Sequence, residues 1–264
     1  MDFISTQHHD TYPFIAQATH HNHKVLITGA SRGIGLATAH SFARAGAPSI
    51  AIAARGPLDT VETALLSTAK EAGHPPPTIL KLTLDVADDA SVAAAAEEVA
   101  AKFGHLDILI NNAGTSEPWV PIAEKRPGGL VGMLGSQCQG RVPGHAGVHP
   151  AAAEGDAKDD CECQLGRGAV GSAGGVGVSD GEGMLAYAIH PGGVPTELAM
   201  GIKALQGLLT DTAELAGNAM SWLTQERREW LGGRYVSVTW DMEELLQKRE
   251  EIVREDKLKM RLAV

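Results

Sequence analysis

This 264-residue chain lacks any excess of positive charge: 22 Lys and Arg stand against 32 Asp and Glu, a formal charge of −10 and a pI near 5.5. A surface of that sign repels phosphate backbones and anionic lipid, which argues against nucleic acid or a membrane as partner. No apolar run approaches the roughly 20 residues that a membrane-spanning helix needs. Residues 1–23 hold no apolar core flanked by basic residues, so no secretory signal is read there. Cysteine is scarce: three residues, an odd number, build no disulfide framework, and a reducing cytoplasm is the expected compartment. What is present is a hydrophobic fraction of 44%, in a chain long enough to bury one good core.

The chain is organised around Thr28-Gly29-Ala30-Ser31-Arg32-Gly33-Ile34-Gly35. A short apolar run, Lys24-Val25-Leu26-Ile27, precedes it, and a helical run ending near Gly46 follows. Strand, glycine turn and helix together form the context of a phosphate-binding loop. The backbone can approach a pyrophosphate closely at such glycines, and the first N–H groups of the helix face the anion. The alternating pattern continues. Strands are read at 49–54, 78–83 and 106–110, with helices from Asp59 and from Asp88 or Asp89. Four β and α units in succession imply a parallel sheet with right-handed crossovers. The expected architecture is a Rossmann-like, doubly wound α/β domain over 24–264, with 1–23 as a flexible, solvated tail. His8, His9, His20, His21 and His23 in that tail lack a carboxylate or Cys at ligand spacing, so a metal site is the weaker reading.

The second strand ends Ala53-Ala54-Arg55, at the position that reads the adenosine ribose in a Rossmann unit. An acidic residue there would suit the 2′-hydroxyl of NAD. Arg55, with Arg32 in the glycine loop, suits a 2′-phosphate instead, so NADP is expected over NAD.

The spacing Gly29-x-x-x-Gly33-x-Gly35, together with Asn111-Asn112-Ala113-Gly114, resembles the short-chain dehydrogenase/reductase family. The resemblance covers 24–118 and 184–256. It implies cofactor contacts at Gly29, Ser31, Arg32, Gly33, Ile34, Gly35 and Arg55. It places Asp85 against the adenine and Asn112, Ala113 and Gly114 beside the ribose. Pro191, Gly192, Val194 and Thr196, in the turn after a strand at 184–189, would serve the nicotinamide side. Helices are read at 205–223 and 242–257, the latter with a solvated face, and a last strand at 232–238. The implied activity is NADP-dependent exchange of a hydride with a small-molecule alcohol or carbonyl carbon. A homo-oligomer is usual for the family and doubtful for this chain.

The family also implies a catalytic Tyr followed one helical turn later by Lys, because i and i+4 side chains share a helix face. The sequence lacks that pair. Four residues after Tyr12, Tyr187 and Tyr235 stand Ala16, Pro191 and Thr239. No catalytic residue is assigned. The other reading is therefore a catalytically inactive nucleotide-binding remnant, or the product of a mis-spliced or frame-shifted gene.

Residues 126–183 carry the deepest scarcity. They contain no Ile, Phe, Tyr, Trp, Thr or Asn, yet hold 16 of the chain's 31 Gly and all three Cys. Such a stretch is not expected to build a buried strand and a long helix, and is read as irregular, disordered or loosely packed. Cys161, Cys163, His145 and His149 match no usual zinc spacing. A frame error would account for the composition. The codons of Gln137 to Pro150, read one base later, allow Asn-Val-Lys-Gly-Val-Tyr-Leu-Val-Thr-Arg-Ala-Phe-Ile-Pro, which resembles the family's helix after the fourth strand. The same shift over Asp159 to Leu165 allows Thr-Ile-Val-Asn-Val-Ser-Ser, a strand ending at a Ser. Two stretches decode in one frame, which a genuine Gly-rich insertion gives no reason for. The shift would begin near Lys125–Gly128, and a second discontinuity before Met184 would remove the helix carrying Tyr and Lys.

Overall fold

The computed structural model of the chain describes residues 3–114, 174–179, 183–202, 205 and 207–259. Among them one sheet carries β1 (Lys24–Thr28), β2 (Ser49–Ala54), β3 (Thr78–Thr83), β4 (Ile108–Asn111), β5 (Gly174–Ser179), β6 (Met184–His190) and β7 (Tyr235–Ser237). The strand order is β3-β2-β1-β4-β5-β6-β7. β3, β2, β1 and β4 are mutually parallel, as are β6 and β7. The fold is Rossmann-like α/β, and the order reverses between β1 and β4. That crevice is where doubly wound sheets bind ligands.

The central strands read as continuous apolar runs because helices cover both faces. Period-two alternation then divides their side chains. Val25, Ile27, Ile50, Ile52, Ile108 and Ile110 join one core with α2 (Gly33–Arg44) and α6 (Ala213–Thr224). Leu26, Ala51, Ala53 and Leu109 join a second core with Val92, Ala95, Val99 and Phe103 of α4 (Asp89–Phe103). The Asp88 carboxylate caps α4, accepting from the Ala90 N–H, and Gly104 ends the helix at φ 79°. β3 is the edge strand, and its exposed Lys81 pairs with Asp59 and Glu62 on α3 (Asp59–Glu71) at 2.6 and 2.7 Å. α2 and α6 pack closely at Gly217, where a Cβ would lie 2.8 Å from the Ala37 carbonyl oxygen. The Ser41 hydroxyl donates to Asn218 Oδ1 beside that contact, at 2.7 Å.

Several expectations are corrected. Residues 3–23 are not a solvated tail. Ile4, Ile15 and His20 are fully buried, and α1 (Pro13–Ala16) packs on α6. The Ser5 and Thr6 N–H groups both donate to the Glu244 carboxylate at 3.0 Å, and His8 Nε2 lies 2.8 Å from Asp241 Oδ2. The expected helix at 242–257 is two short helices, α7 (Met242–Gln247) and α8 (Arg249–Arg254). Met242, Leu245 and Ile252 on them are fully buried under the N-terminal segment and sheet. The helix expected from 205 starts only at Ala213, capped by the Thr212 hydroxyl. The sheet is not wholly parallel. β5 lies inside the Gly-rich stretch expected to be irregular, and it runs antiparallel to both β4 and β6. Paired on both sides, even Gly-Gly-Val-Gly-Val-Ser satisfies its backbone groups as a strand. The stretches decoded at 137–150 and 159–165, and Cys161, Cys163, His145 and His149, lie outside the described residues.

Candidate functional site

A cavity of about 620 Å³ opens at the carboxyl ends of β1, β2 and β4. Its floor is the turn from β1 into α2. Gly29 has φ 67°, a left-handed conformation, and a Cβ there would lie 2.9 Å from Ala113 Cα. At Gly35 a Cβ would lie 2.4 Å from the Gly29 carbonyl oxygen, so any side chain would displace the loop. The first turn of α2 opens at Gly33, its N–H groups unpaired by the helix and its dipole favouring an anion.

The turn is held from below by β1 and β4. The Thr28 hydroxyl donates to the Ile110 carbonyl at 3.3 Å and accepts from the N–H groups of Asn112 and Ala113, both at 3.0 Å. The Asn112 side-chain amide donates back to the carbonyls of Thr28 and Gly29, at 3.0 and 3.4 Å. Asn112 therefore braces the two strands as well as lining the cavity.

The structure brings together Gly29, Ser31, Arg32, Gly33, Ile34, Arg55, Asp85, Asn112, Ala113, Gly114 and Thr196 on the cavity wall. Gly35, Pro191, Gly192 and Val194 are not on that wall. Gly35 lies beneath the loop, and Pro191, Gly192 and Val194 are buried in the turn leading to Thr196. Sequence reading assigned no site role to Thr28, Ala53, Ala54, Leu84, Val86, Ala87, Pro195, Glu197 and Leu198, which complete the wall. Asp85 was a signal for its neighbours: its carboxylate accepts from the Ala87 N–H at 3.0 Å and so turns the chain across the cavity. No comparable pattern marks Glu197, which follows the turn on α5 (Glu197–Met200) and meets Arg32 at 3.1 Å. Arg55 is exposed at the end of β2 and forms no ion pair among the described residues.

The three tyrosines are elsewhere. Tyr187 is buried in the core, its hydroxyl against the Arg228 backbone, and burial pushes its pKa up. The Tyr12 hydroxyl accepts from the Met242 N–H at 2.8 Å, and burial pushes its pKa up to about 12. Tyr235 packs edge-on against Trp240. Among the described residues, neither Tyr nor Lys lines the cavity. The described site can therefore cradle a phosphate and a ribose but presents no phenolic acid.

A family model described as short chain dehydrogenase matches residues 23–127. A short chain dehydrogenase of Monascus purpureus, mpl6, is 43% identical over 282 positions, covering 99% of this chain and 97% of its own length. The chain belongs to the short-chain dehydrogenase family. Another relative, the short chain dehydrogenase andI of Emericella variicolor, is 36% identical, covering 100% of this chain and 97% of its own length. An alcohol dehydrogenase from Thermococcus sibiricus, solved with 5-hydroxy-NADP, is 32% identical. It covers 44% of this chain and 48% of its own, at a TM-score of 0.39. Two features of the matches to the family model and to mpl6 stand out. The family-model match stops at residue 127, and the alignment to mpl6 runs longer than the 264 residues of the chain, so it opens gaps in it.

Proposed function

We propose that the cavity is the site of NADP(H), bound with its pyrophosphate on the N-terminus of α2 and its adenosine ribose beyond the end of β2. The observation that carries the reading is Arg55, exposed on the cavity wall at the end of β2 where NAD would need an acidic residue; Arg32, on the glycine loop and ion-paired with Glu197, would have to leave that partner to join it at a 2′-phosphate. The glycine positions fit the group: a Cβ on Gly29 would meet Ala113 Cα and one on Gly35 the Gly29 carbonyl oxygen, so only glycine keeps this turn tight enough for the backbone at Gly29 and Gly33 to line the cavity. When bound, the nicotinamide supplies the hydride chemistry. Asp85 would accept from the adenine amino group, and Thr196 would meet the nicotinamide side. Gly29, Ser31, Arg32, Gly33, Ile34, Gly35, Arg55, Asn112, Ala113, Gly114, Pro191, Gly192 and Val194 would form or support the rest of the site. The family activity is oxidation of an alcohol or reduction of a carbonyl, on a small-molecule substrate in the cytoplasm. The test is the nucleotide preference of Arg55→Ala. A charge-assisted contact to the 2′-phosphate is worth about 1.5–3 kcal/mol, so the variant should lose most of a preference for NADPH over NADH. A variant that keeps the preference contradicts the assignment.

A second reading applies to the chain as written: it holds the nucleotide but does not turn over. Two observations favour it, the absence of any Tyr-x-x-x-Lys pair from the sequence and the end of the family-model match at residue 127. That end falls in the Lys125–Gly128 stretch, where the inferred codon shift would begin. The reading is that residues 126–183 are family sequence translated in the wrong frame, with the catalytic helix lost at a misplaced intron boundary. Loss of that helix also removes the usual dimer contact of the family. Sequencing the transcript decides the matter. A message encoding 126–183 as written, with no open frame for Tyr-x-x-x-Lys in the adjoining genomic DNA, overturns it.

A further inference from the structure

Outside the cavity, one buried carboxylate is used by nothing described so far. Asp211 is 6% exposed and lies two residues before α6. A carboxylate at that depth is costly unless it is paired and hydrogen-bonded, and Asp211 is both. One oxygen, Oδ2, accepts from the Gly193 N–H at 2.5 Å. The other, Oδ1, lies 2.6 Å from His9 Nδ1. The backbone closes a ring with the first contact, because the Asp211 N–H donates to the Gly193 carbonyl at 3.0 Å. It also closes one with the second, because the Thr212 N–H donates to the His9 carbonyl at 2.9 Å. Thr212 adds a hydroxyl bond to the Asp10 carboxylate at 2.8 Å.

The far side of this knot is the turn 191–196. Gly192 has φ 82°, and a Cβ there would lie 2.6 Å from Asp211 Oδ2, so only glycine lets the carboxylate reach its neighbour. The Gly192 N–H donates to His190 Nδ1 at 3.3 Å. With both glycine N–H groups anchored, the chain turns at Val194, whose carbonyl accepts from the Thr196 N–H at 2.8 Å. Thr196 then caps α5, and its Cγ2 lies where a Cβ on Gly33 would come within 3.2 Å. Residues 195–198 are the cavity wall opposite the end of β2.

The geometry points to Asp211 as a positioning residue for the nicotinamide-side wall, held in place by His9 of the N-terminal segment. This rests on the nucleotide reading of the cavity and adds a second element to it. His9 comes from the stretch 3–22, which the family model does not cover. Asp211 touches no ligand. It fixes Gly193, Gly193 fixes the turn, and the turn sets Thr196 against the glycine loop.

The test compares NADPH with adenosine 2′,5′-bisphosphate, which carries the adenosine half alone. Titrations of the full chain should show Asp211→Ala weakening NADPH about tenfold or more, the scale of a hydrogen bond to a charged group, with adenosine 2′,5′-bisphosphate bound as by the wild type. Asp211→Asn keeps an acceptor for the Gly193 N–H and should restore most of the loss. His9→Ala, at an exposed ring, should give an intermediate loss. Hydrogen exchange on the ligand-free protein supplies a readout that does not need binding: the 192–194 amides should exchange faster in His9→Ala, with those of β1 unchanged. Equal weakening of both ligands, no weakening of either, or unchanged exchange at 192–194 overturns the assignment. If the wild type binds neither ligand, the nucleotide reading falls and the positioning role falls with it, whereas binding of both by wild type and Asp211→Ala alike removes the positioning role alone.

Discussion

Acid should unfold this protein through His20, by an amount the structure sets. The ring is fully buried, 4.5 Å from the Phe42 ring centroid. Its Nε2 lies 3.0 Å from the Ser221 carbonyl oxygen, and its Nδ1 lies 2.8 Å from His23 Nδ1. Burial, and then the neighbouring His23, pull its pKa from 6.5 down to about 3, against the opposing pull of the Ser221 carbonyl. The folded protein therefore holds a neutral ring, while the unfolded chain protonates near the ordinary value. The stabilisation is complete above about pH 6.5 and is lost progressively as pH falls from there toward 3. At about pH 5 the loss depends only on the unfolded value, because the folded ring is still neutral. At about 1.4 kcal/mol per unit, it amounts to about 2 kcal/mol. The assay is urea unfolding at about pH 7.5 and pH 5 for the wild type and His20→Gln, so that the titrating groups remote from the ring cancel, with His23→Gln alongside to account for the neighbouring imidazole in contact with it. The wild type should lose about 2 kcal/mol more than the variant across that interval. Equal losses would refute the burial of a neutral His20 and, with it, the packed N-terminal segment.

Three further outcomes are expected. Ile15→Ala should cost about 2–5 kcal/mol in urea unfolding, since Ile15 is fully buried on α1; a solvated tail would show under about 0.5 kcal/mol. Gly35→Ala should lower the thermal midpoint and abolish NADPH binding, because a Cβ at 2.4 Å from the Gly29 oxygen costs about 1–3 kcal/mol, more than the roughly 1 kcal/mol gained in helix propensity. The purified chain should oxidise NADPH at background rate with any ketone, general acid catalysis alone being worth about 10²–10⁴-fold, and robust turnover would contradict the absence of a proton donor.

The parts of the fold that were legible are those with local signals. β1, the glycine turn and α2 announce themselves by an apolar run, turn residues and helical spacing within 21 residues, Lys24 to Arg44. Asp88 and Gly104 bracket α4 in the same way. What escaped depends on residues far apart in sequence. His8 meets Asp241 and His9 meets Asp211, so nothing near residues 1–23 distinguishes a strap from a tail. Gly217 looks like an interruption of α6 until Ala37 is seen against it. β5 has two Val among its six residues, too few for a period-two pattern, and only its neighbours make it a strand. At the site, positions inside the glycine loop and the turns after β2, β3 and β4 were found, whereas Leu84, Val86 and Leu198 were not, because apolar wall residues look like any other core residue, and Glu197 was not, because its partner Arg32 is far off in sequence.

The central claim is that a chain without the catalytic Tyr and Lys retains a working NADP site. Calorimetric titration of NADPH and NADH into the purified full-length chain tests it most directly. The account predicts saturable binding of NADPH about tenfold or more tighter than NADH, from one charge-assisted contact to the 2′-phosphate. Equal affinities, tighter NADH, or no binding of either nucleotide by a folded chain would contradict it.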